Sequence, residues 1–261
     1  MTHNESRFLK RLILFLIVAA LCPLFAFAYR FALNVAPESI PGPEPIFTLM
    51  PAVGDVGFAT PAPTSVVVVV PNGWNEYQDT DNGFAISIPT TWQQLPVKPE
   101  ELAAALATVR QSDPELADSL GANGQTFMQN GVKFWAFDLT PETQQAGFAT
   151  NVTVTRQTLP SAVSFDSFVA INLNQLNALT TRNSDIVNDR ISIAGLPAER
   201  VRYLLALNQA AGAPITAAMT QYLVLNGVHA FVLTYATRTD LMEKYQPLFD
   251  QSAASLRFTG Q

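Results

Sequence analysis

Two apolar faces on one predicted hairpin constrain the fold of this chain more than any other feature of its sequence. Asn226-Gly227 is typical of a two-residue type I′ turn, and apolar residues flank it on both sides. This turn pairs Tyr222 with Phe231. One face of the hairpin then carries Tyr222, Val224, Phe231, Leu233 and Tyr235. The other face carries Met219, Leu223, Leu225, Val228, Ala230 and Val232.

Because both faces of this hairpin are apolar, both need a covering layer. Antiparallel strands that are buried on two sides are covered by helices above and below the sheet. The sequence therefore predicts an α+β fold, a three-layer α/β/α sandwich with a central antiparallel sheet. The hairpin at residues 219–235 is expected at the centre of that sheet.

Other segments supply the remaining strands and helices. Phe84, Ile86 and Ile88 alternate with small residues, which predicts a half-buried strand that ends at Pro89. Pro99, followed by two glutamates, predicts the start of a helix. Further strands are expected near residues 132–139, 148–157, 186–193, 199–207 and 256–258. Helices are expected at the apolar stripe of Phe165, Val169, Leu173 and Leu176, and at residues 240–254 with a kink or split at Pro247.

The first segment of the chain, residues 1–30, predicts export from the cytoplasm. Eighteen uncharged residues, 12–29, follow three cations, Arg7, Lys10 and Arg11. A helix of about 18 residues is roughly 27 Å long, close to the thickness of the hydrocarbon core of a bilayer. The cations hold the start of such a helix in the cytoplasm.

Three fates of this segment are open. Small residues at Ala26 and Ala28 would let a signal peptidase cleave after Ala28, or the segment could stay as a membrane anchor. Lipidation at Cys22 is disfavoured, because Leu21 fills the position where lipoprotein signals carry a small residue. The rest of the chain is therefore expected to be extracytoplasmic, either membrane-anchored or secreted.

Residues 31–73 predict a proline-rich linker. Eight prolines lie within residues 34–73, and proline at this density disfavours helices and central strands. The valines at residues 66–70 do not suit a linker, since five exposed valines would invite strand pairing. We expect them to add an edge strand to the domain or to cover an apolar patch.

The remaining residues, 74–261, have the length of a single domain, and their composition excludes several partners and sites. The chain has 21 acidic and 15 basic residues, a net charge of −6, and no basic cluster lies in this domain. Nucleic acid and anionic membrane are therefore disfavoured as partners, and contact with a membrane is expected only through the N-terminal segment. The one cysteine, Cys22, precedes the domain, which therefore has no disulfide and no thiolate.

Few residues of the domain are candidates for chemistry. Its one histidine, His229, is either a routine surface residue or a general base or ligand. Without a second histidine or a cysteine we expect no metal site. The domain has no Gly-x-Ser-x-Gly motif, no Gly-rich phosphate loop and no His-Glu-x-x-His motif, so we expect no cofactor and no catalytic residue. Arg200 and Arg202 would point to one face of a strand and are the candidates for binding an anion, with solvated strand charges as the alternative. Trp92 and Trp135 are expected in the core.

Three segments of the domain resemble the PsbP-like family, which comprises the extrinsic subunit of photosystem II and its exported bacterial relatives. An opening strand closes with Pro-x-x-Trp in Gly83-Phe84-Ala85-Ile86-Ser87-Ile88-Pro89-Thr90-Thr91-Trp92. The other two segments are Gly195-Leu196-Pro197-Ala198 before a strand and Ser255-Leu256-Arg257-Phe258 after the closing helix. The resemblance implies an antiparallel sheet between helices and a non-catalytic binding or assembly role. The metal and chloride retention of the photosynthetic members is not implied here, because this chain lacks a matching histidine cluster.

Two functions follow as hypotheses. The first is a non-enzymatic extracytoplasmic binding or assembly module, tethered to or released from the membrane, that engages an unknown protein or small ligand at the outer membrane face. The alternative is a cell-envelope hydrolase that uses Asp or Glu carboxylates. Such an enzyme would need two carboxyl groups about 5–10 Å apart across a groove.

Overall fold

The computed structural model describes residues 70–112, 130–138, 140, 142–143, 150–159, 161–179, 181–207 and 215–259. The predicted export segment, with Ala26 and Ala28, lies outside these residues. So do residues 31–69 of the predicted linker, including all of the valine run except Val70, which belongs to no strand. Among the described residues, no helix is long and apolar enough to cross a membrane.

Runs of one to four strands are separated by helices along the described part of the chain. Their bounds, in chain order, are β1 (Trp74–Asp79), β2 (Phe84–Pro89), β3 (Trp92–Gln94), α1 (Pro99–Ser112), β4 (Val132–Asp138), β5 (Asn151–Thr158), α2 (Phe165–Asn177), β6 (Val187–Ile193), β7 (Leu196–Leu207), β8 (Ile215–Asn226), β9 (His229–Arg238), α3 (Met242–Ala254) and β10 (Arg257–Phe258). A 3-10 turn, Thr239–Leu241, leads into α3. Helix α1 begins at Pro99 and α2 follows Ser164, whose side chain accepts a hydrogen bond from the Ser167 amide and so caps the helix.

The strands form two antiparallel sheets. The larger has seven strands in the order β3-β4-β5-β9-β8-β7-β6, and the smaller has three in the order β1-β2-β10. The β8–β9 hairpin therefore lies at the centre of the larger sheet, as predicted. Helix α2 covers one face of this sheet, and α3 together with the three-stranded sheet covers the other. We call these the α2 face and the α3 face.

Each face of the central hairpin is part of its own apolar core. On the α3 face, the hairpin residues pack with Phe84 of β2 and with Tyr245 and Phe249 of α3; they are Tyr222, Val224, Phe231, Leu233 and Tyr235. On the α2 face, they pack with Phe168 and Leu176 of α2; they are Met219, Leu223, Leu225, Ala230 and Val232. The three-layer prediction and the division of the hairpin into two buried faces are confirmed.

The predicted turn of this hairpin was wrong by one residue. Asn226 pairs with His229, so Gly227 and Val228 form the turn. Gly227 has a φ of 60° and Val228 has a negative φ, which is the pattern of a type II′ turn with glycine at its first central position. Every pairing is therefore shifted by two residues, and Tyr222 lies opposite Leu233. A shift of two keeps each side chain on its face, but Val228 leaves the α2 core and is 36% exposed.

Strand β2 differs from the half-buried strand that was predicted, because both of its faces are buried. Ala85 is 0% and Ser87 2% exposed. The strand lies in the middle of the smaller sheet and against the end of α3. There the Ser87 amide donates to Ser255 Oγ and the Ser252 hydroxyl donates to the Ser87 carbonyl, both at 2.7 Å.

The two later helices also differ in detail from the prediction. Helix α3 runs through Pro247 without a split, since Tyr245 and Phe249 on either side of the proline are both buried in the core. In α2 the buried stripe is turned, so that Phe168 is buried while Phe165 and Leu173 are only partly covered.

Phe231 provides a direct test of the buried hairpin. Its ring is 2% exposed and lies 5.0 Å from the Phe258 ring and 6.1 Å from the Phe84 ring, so that it joins the two sheets. We expect Phe231→Ala to lower the free energy of unfolding by about 3–5 kcal/mol, as measured by chemical denaturation. The matched control is Val228→Ala at the exposed turn, expected to change it by less than about 0.5 kcal/mol. Equal effects of the two variants would contradict the burial of this face.

Candidate functional site

Part of the α3 face is open to solvent at one end of β6 and β7, beyond the point where Asp250 of α3 contacts Arg200 of β7. In β7, Arg200, Arg202 and Leu204 on the α3 face are only half-buried, whereas their neighbours on the α2 face are buried: Glu199, Val201, Tyr203 and Leu205. Val187 of β6 is the most exposed of the large apolar side chains described, at 54%. We call this surface the open strip: Val187, Asp189, Arg200, Arg202 and Leu204.

The strand registers bring the polar residues of the open strip together. Asp189 of β6 lies opposite Arg200 of β7, and Arg200 lies opposite Tyr222 of β8. Directly opposite residues of antiparallel strands share a face, so these three side chains form a row across the sheet. Asp250 of α3 lies above the same row and contacts both Arg200 and Tyr222.

Arg200 is the centre of this group. Its Nε and Nη2 donate to the two carboxylate oxygens of Asp189 at 3.1 and 2.8 Å, and its Nη1 donates to Asp250 Oδ1 at 2.9 Å. The hydrogen bond to Asp189 is the largest cause that raises the pKa of Arg200 above its ordinary value. Because a two-point contact between guanidinium and carboxylate fixes orientation as well as distance, Arg200 holds the edge strand β6 to α3.

The same oxygen of Asp250 accepts two further hydrogen bonds. The Tyr222 hydroxyl donates to it at 2.5 Å and Gln246 Nε2 donates to it at 3.0 Å. Burial and the bond to Asp250 both raise the pKa of Tyr222, with burial as the larger cause. Tyr222 therefore keeps its proton and acts as a donor. Gln246 Oε1 in turn accepts from the Thr220 hydroxyl at 3.0 Å.

The resulting network is charge-balanced and half-exposed. Arg202 joins it through Asp189 Oδ1 at 3.3 Å, so two carboxylates face two guanidinium groups. The side chains of Arg200 and Asp250 are 24% and 39% exposed, so a bound molecule could reach them. The Arg200 guanidinium lies between the two carboxyl groups and bonds to both. This arrangement fixes the positions of the donors and acceptors, but it leaves no space between the two carboxyl groups for a bond that they could cleave.

Arg200 and Arg202 do share one face of β7, as the sequence predicted. The structure adds that both contact Asp189, so an external anion would compete with this carboxylate. Anion binding by these two arginines stays a prediction.

Sequence reasoning missed the other members of the network. Asp189 could have been found from the hairpin turn, because a two-residue turn at Ala194-Gly195 places residue 189 opposite residue 200. That turn needs positive φ at both positions, and Ala194, with a φ of 52°, is not a residue that signals it. Asp250 comes from a helix far along the chain, and no local pattern points to it.

The remaining candidate residues lie elsewhere. Trp92 and Trp135 are 5% and 2% exposed, in agreement with their predicted core positions. His229 is half-buried at the start of β9 and contacts residues of β5 rather than the network. Within the described ranges, no three His, Cys, Asp or Glu side chains are grouped so as to hold a metal ion.

Comparison with known proteins gives similarity in structure but not in sequence. No model of a known protein family matches the chain, and no curated protein matches its sequence. Cyanobacterial PsbP (CyanoP) from Synechocystis sp. PCC 6803 is 16% identical, with a TM-score of 0.43 over 75% of this chain and 98% of that one. CyanoP is a member of the family that the sequence motifs of the present chain resemble.

Two further solved structures are similar to the chain. LpqN of Mycobacterium tuberculosis, described as involved in cell envelope biogenesis, is 12% identical with a TM-score of 0.42, over 72% of this chain and 93% of that one. The Ran-binding protein Mog1p of Saccharomyces cerevisiae is 10% identical with a TM-score of 0.40, over 71% and 95%. These similarities assign the present chain neither a ligand nor an activity.

Arg200 and Arg202 form a matched pair for testing the network. We expect Arg200→Met to lower the free energy of unfolding by about 1–3 kcal/mol, because it leaves two partly buried carboxylates without their shared cation. Arg202→Met removes a single, longer contact and should cost less than about 0.5 kcal/mol. Urea denaturation of both variants measures the difference. If they are equally stable, Arg200 does not organise this surface.

Proposed function

We propose that this chain is a non-enzymatic extracytoplasmic binding or assembly module whose open strip contacts the partner. The position outside the cytoplasm rests on the predicted export segment. The binding role rests on the open strip, and the resemblance of the sequence motifs to PsbP-like proteins agrees with it.

The observation that carries the proposal is the position of Arg200 between Asp189 and Asp250. A glycosidase or a similar hydrolase places two carboxyl groups on opposite sides of the bond that it cleaves. Here a guanidinium occupies the space between the carboxyl groups and hydrogen-bonds to both. The arrangement therefore favours recognition over the alternative of a carboxylate-dependent hydrolase.

The apolar members of the open strip suit contact with a protein. Val187 is 54% exposed and lies opposite Arg202, and Leu204 of the same strip is half-buried. Exposed apolar side chains rimmed by fixed polar groups are typical of protein-binding surfaces, and arginine is enriched there. The partner that we propose is accordingly a protein at the outer membrane face.

The predicted linker would help such a module to find its partner. An extended proline-rich chain of about forty residues spans roughly 120 Å. If the N-terminal segment stays in the membrane, this tether confines the domain to the volume above it. Confinement raises the effective concentration of a partner that lies in the same membrane.

Site-specific photo-crosslinking tests this proposal. A photoreactive amino acid is placed at Val187 of the full-length chain, and the matched control carries it at Val228, which is also exposed but lies at the hairpin turn. We expect a discrete adduct with a membrane-associated protein from position 187 and not from position 228. Deletion of residues 31–69 should reduce its yield without changing the melting temperature of the domain.

Two results would contradict the proposal. Equal adducts from positions 187 and 228 would show that the open strip is not the contact surface. Turnover of a cell-envelope substrate by the purified chain, abolished by Asp250→Asn, would show that the carboxylates are catalytic.

A further inference from the structure

A second polar cluster lies at the tip of the central hairpin, apart from the network described above. His229 of β9 lies opposite Thr158 of β5, and Arg156 is two residues from Thr158 on the same face. Arg156 Nη2 is 3.0 Å from His229 Nδ1 and 3.3 Å from Nε2. Thr158 Oγ1 is 3.2 Å from His229 Nδ1. Three polar side chains thus converge at the end of two neighbouring strands.

No carboxylate of the described residues compensates the charge of this cluster. Five other strand arginines are each within ion-pair distance of a carboxylate: Arg190, Arg200, Arg202, Arg238 and Arg257. Arg156 has no carboxylate partner among the described residues, and its side-chain contact is with a histidine. Its Nε is also buried without a hydrogen bond to any part of the chain that the structure describes. A cation thus faces a group that itself becomes cationic in acid.

We propose that Arg156, Thr158 and His229 form a binding site for an oxyanion of the phosphate class. A guanidinium offers donors in a fixed plane that match the oxygens of a phosphate, and the Thr158 hydroxyl adds a donor. A protonated His229 would add another. Thr158 is exposed and the other two residues are half-buried, so an anion in solution can reach the site and exchange.

Protonation of His229 is coupled to the proposed anion. Burial and, next, the charge of Arg156 lower the pKa of His229 below its ordinary value. The other residues that face it across the strands, Thr158 of β5 and Asn226 of β8, are uncharged. An anion that contacts both Arg156 and His229 would offset the repulsion between their positive charges and favour the imidazolium. Linkage therefore requires that a bound anion raises the His229 pKa.

The phosphate group could come from a free phosphate compound or from the headgroup of a phospholipid. Both present the same oxygens, and the cluster lies beside an exposed turn, since Val228 directly precedes His229. The experiment therefore has one arm for each source.

NMR of the histidine ring protons in the full-length chain tests the site. The chain has two histidines, so the His229 signal is assigned by its loss in His229→Gln. The pKa of His229 is measured with inorganic phosphate and, in parallel, with sodium chloride at the same ionic strength. We expect phosphate to raise the pKa of His229 by at least about 0.5 unit more than chloride does. This difference corresponds to about threefold tighter binding of phosphate to the form with a protonated His229 than to the neutral form.

Three variants and a lipid arm complete the test. Arg156→Gln should abolish the phosphate-dependent shift, and Arg202→Gln, which removes a cation elsewhere, should retain it. If Arg156→Gln does not fold, Thr158→Val should still weaken the shift.

The lipid arm repeats the measurement with bilayer discs. If phosphatidylglycerol discs raise the pKa of His229 while phosphatidylcholine discs and inorganic phosphate do not, the bound anion is a lipid headgroup. Equal shifts with phosphate and chloride and none with phosphatidylglycerol would overturn the proposal, as would a full shift in Arg156→Gln.

Discussion

Strands β8 and β9 carry apolar side chains on both of their faces. Exposure of either face to water would therefore cost a large amount of hydrophobic free energy. Helix α2 removes one face from water, and α3 with the three-stranded sheet removes the other. The remaining strands of the larger sheet extend outward from this pair. The layer order and the places of α2 and α3 follow from this double burial.

Hydrogen bonds between buried polar groups restrict the position of α3 on the sheet more than apolar contact alone would. The Tyr235 hydroxyl donates to Ser252 Oγ at 2.9 Å, and Tyr245 donates to Asp138 at 2.5 Å. Each bond satisfies a buried group that would otherwise be costly, so α3 has one favoured position. That position leaves Val187 of β6 exposed and Leu204 of β7 half-buried on the α3 face. It also brings Asp250 to Arg200 and so creates the network of the open strip.

The sequence was informative where side-chain periodicity decides the outcome. The two faces of the hairpin were predicted correctly although its turn was not, because an error of two in register returns each residue to its own face. The pairing of Asp189 with Arg200 could not be predicted from the sequence, because Ala194 is not typical of a turn with positive φ. Asp250 and the pairing of Arg156 with His229 depend on packing between distant segments, which no local pattern encodes. The candidate sites therefore needed the structure, whereas the layers did not.

Native-state hydrogen exchange of the full-length chain tests the central role of the hairpin most directly. If the fold depends on its double burial, the backbone amides of β8 and β9 open only in global unfolding. They should therefore be the slowest to exchange, with apparent free energies equal to that from denaturation. Amides of β6, at the sheet edge, should exchange faster. Slowest exchange in β6 or α2, with β8 and β9 opening below the global free energy, would contradict the account.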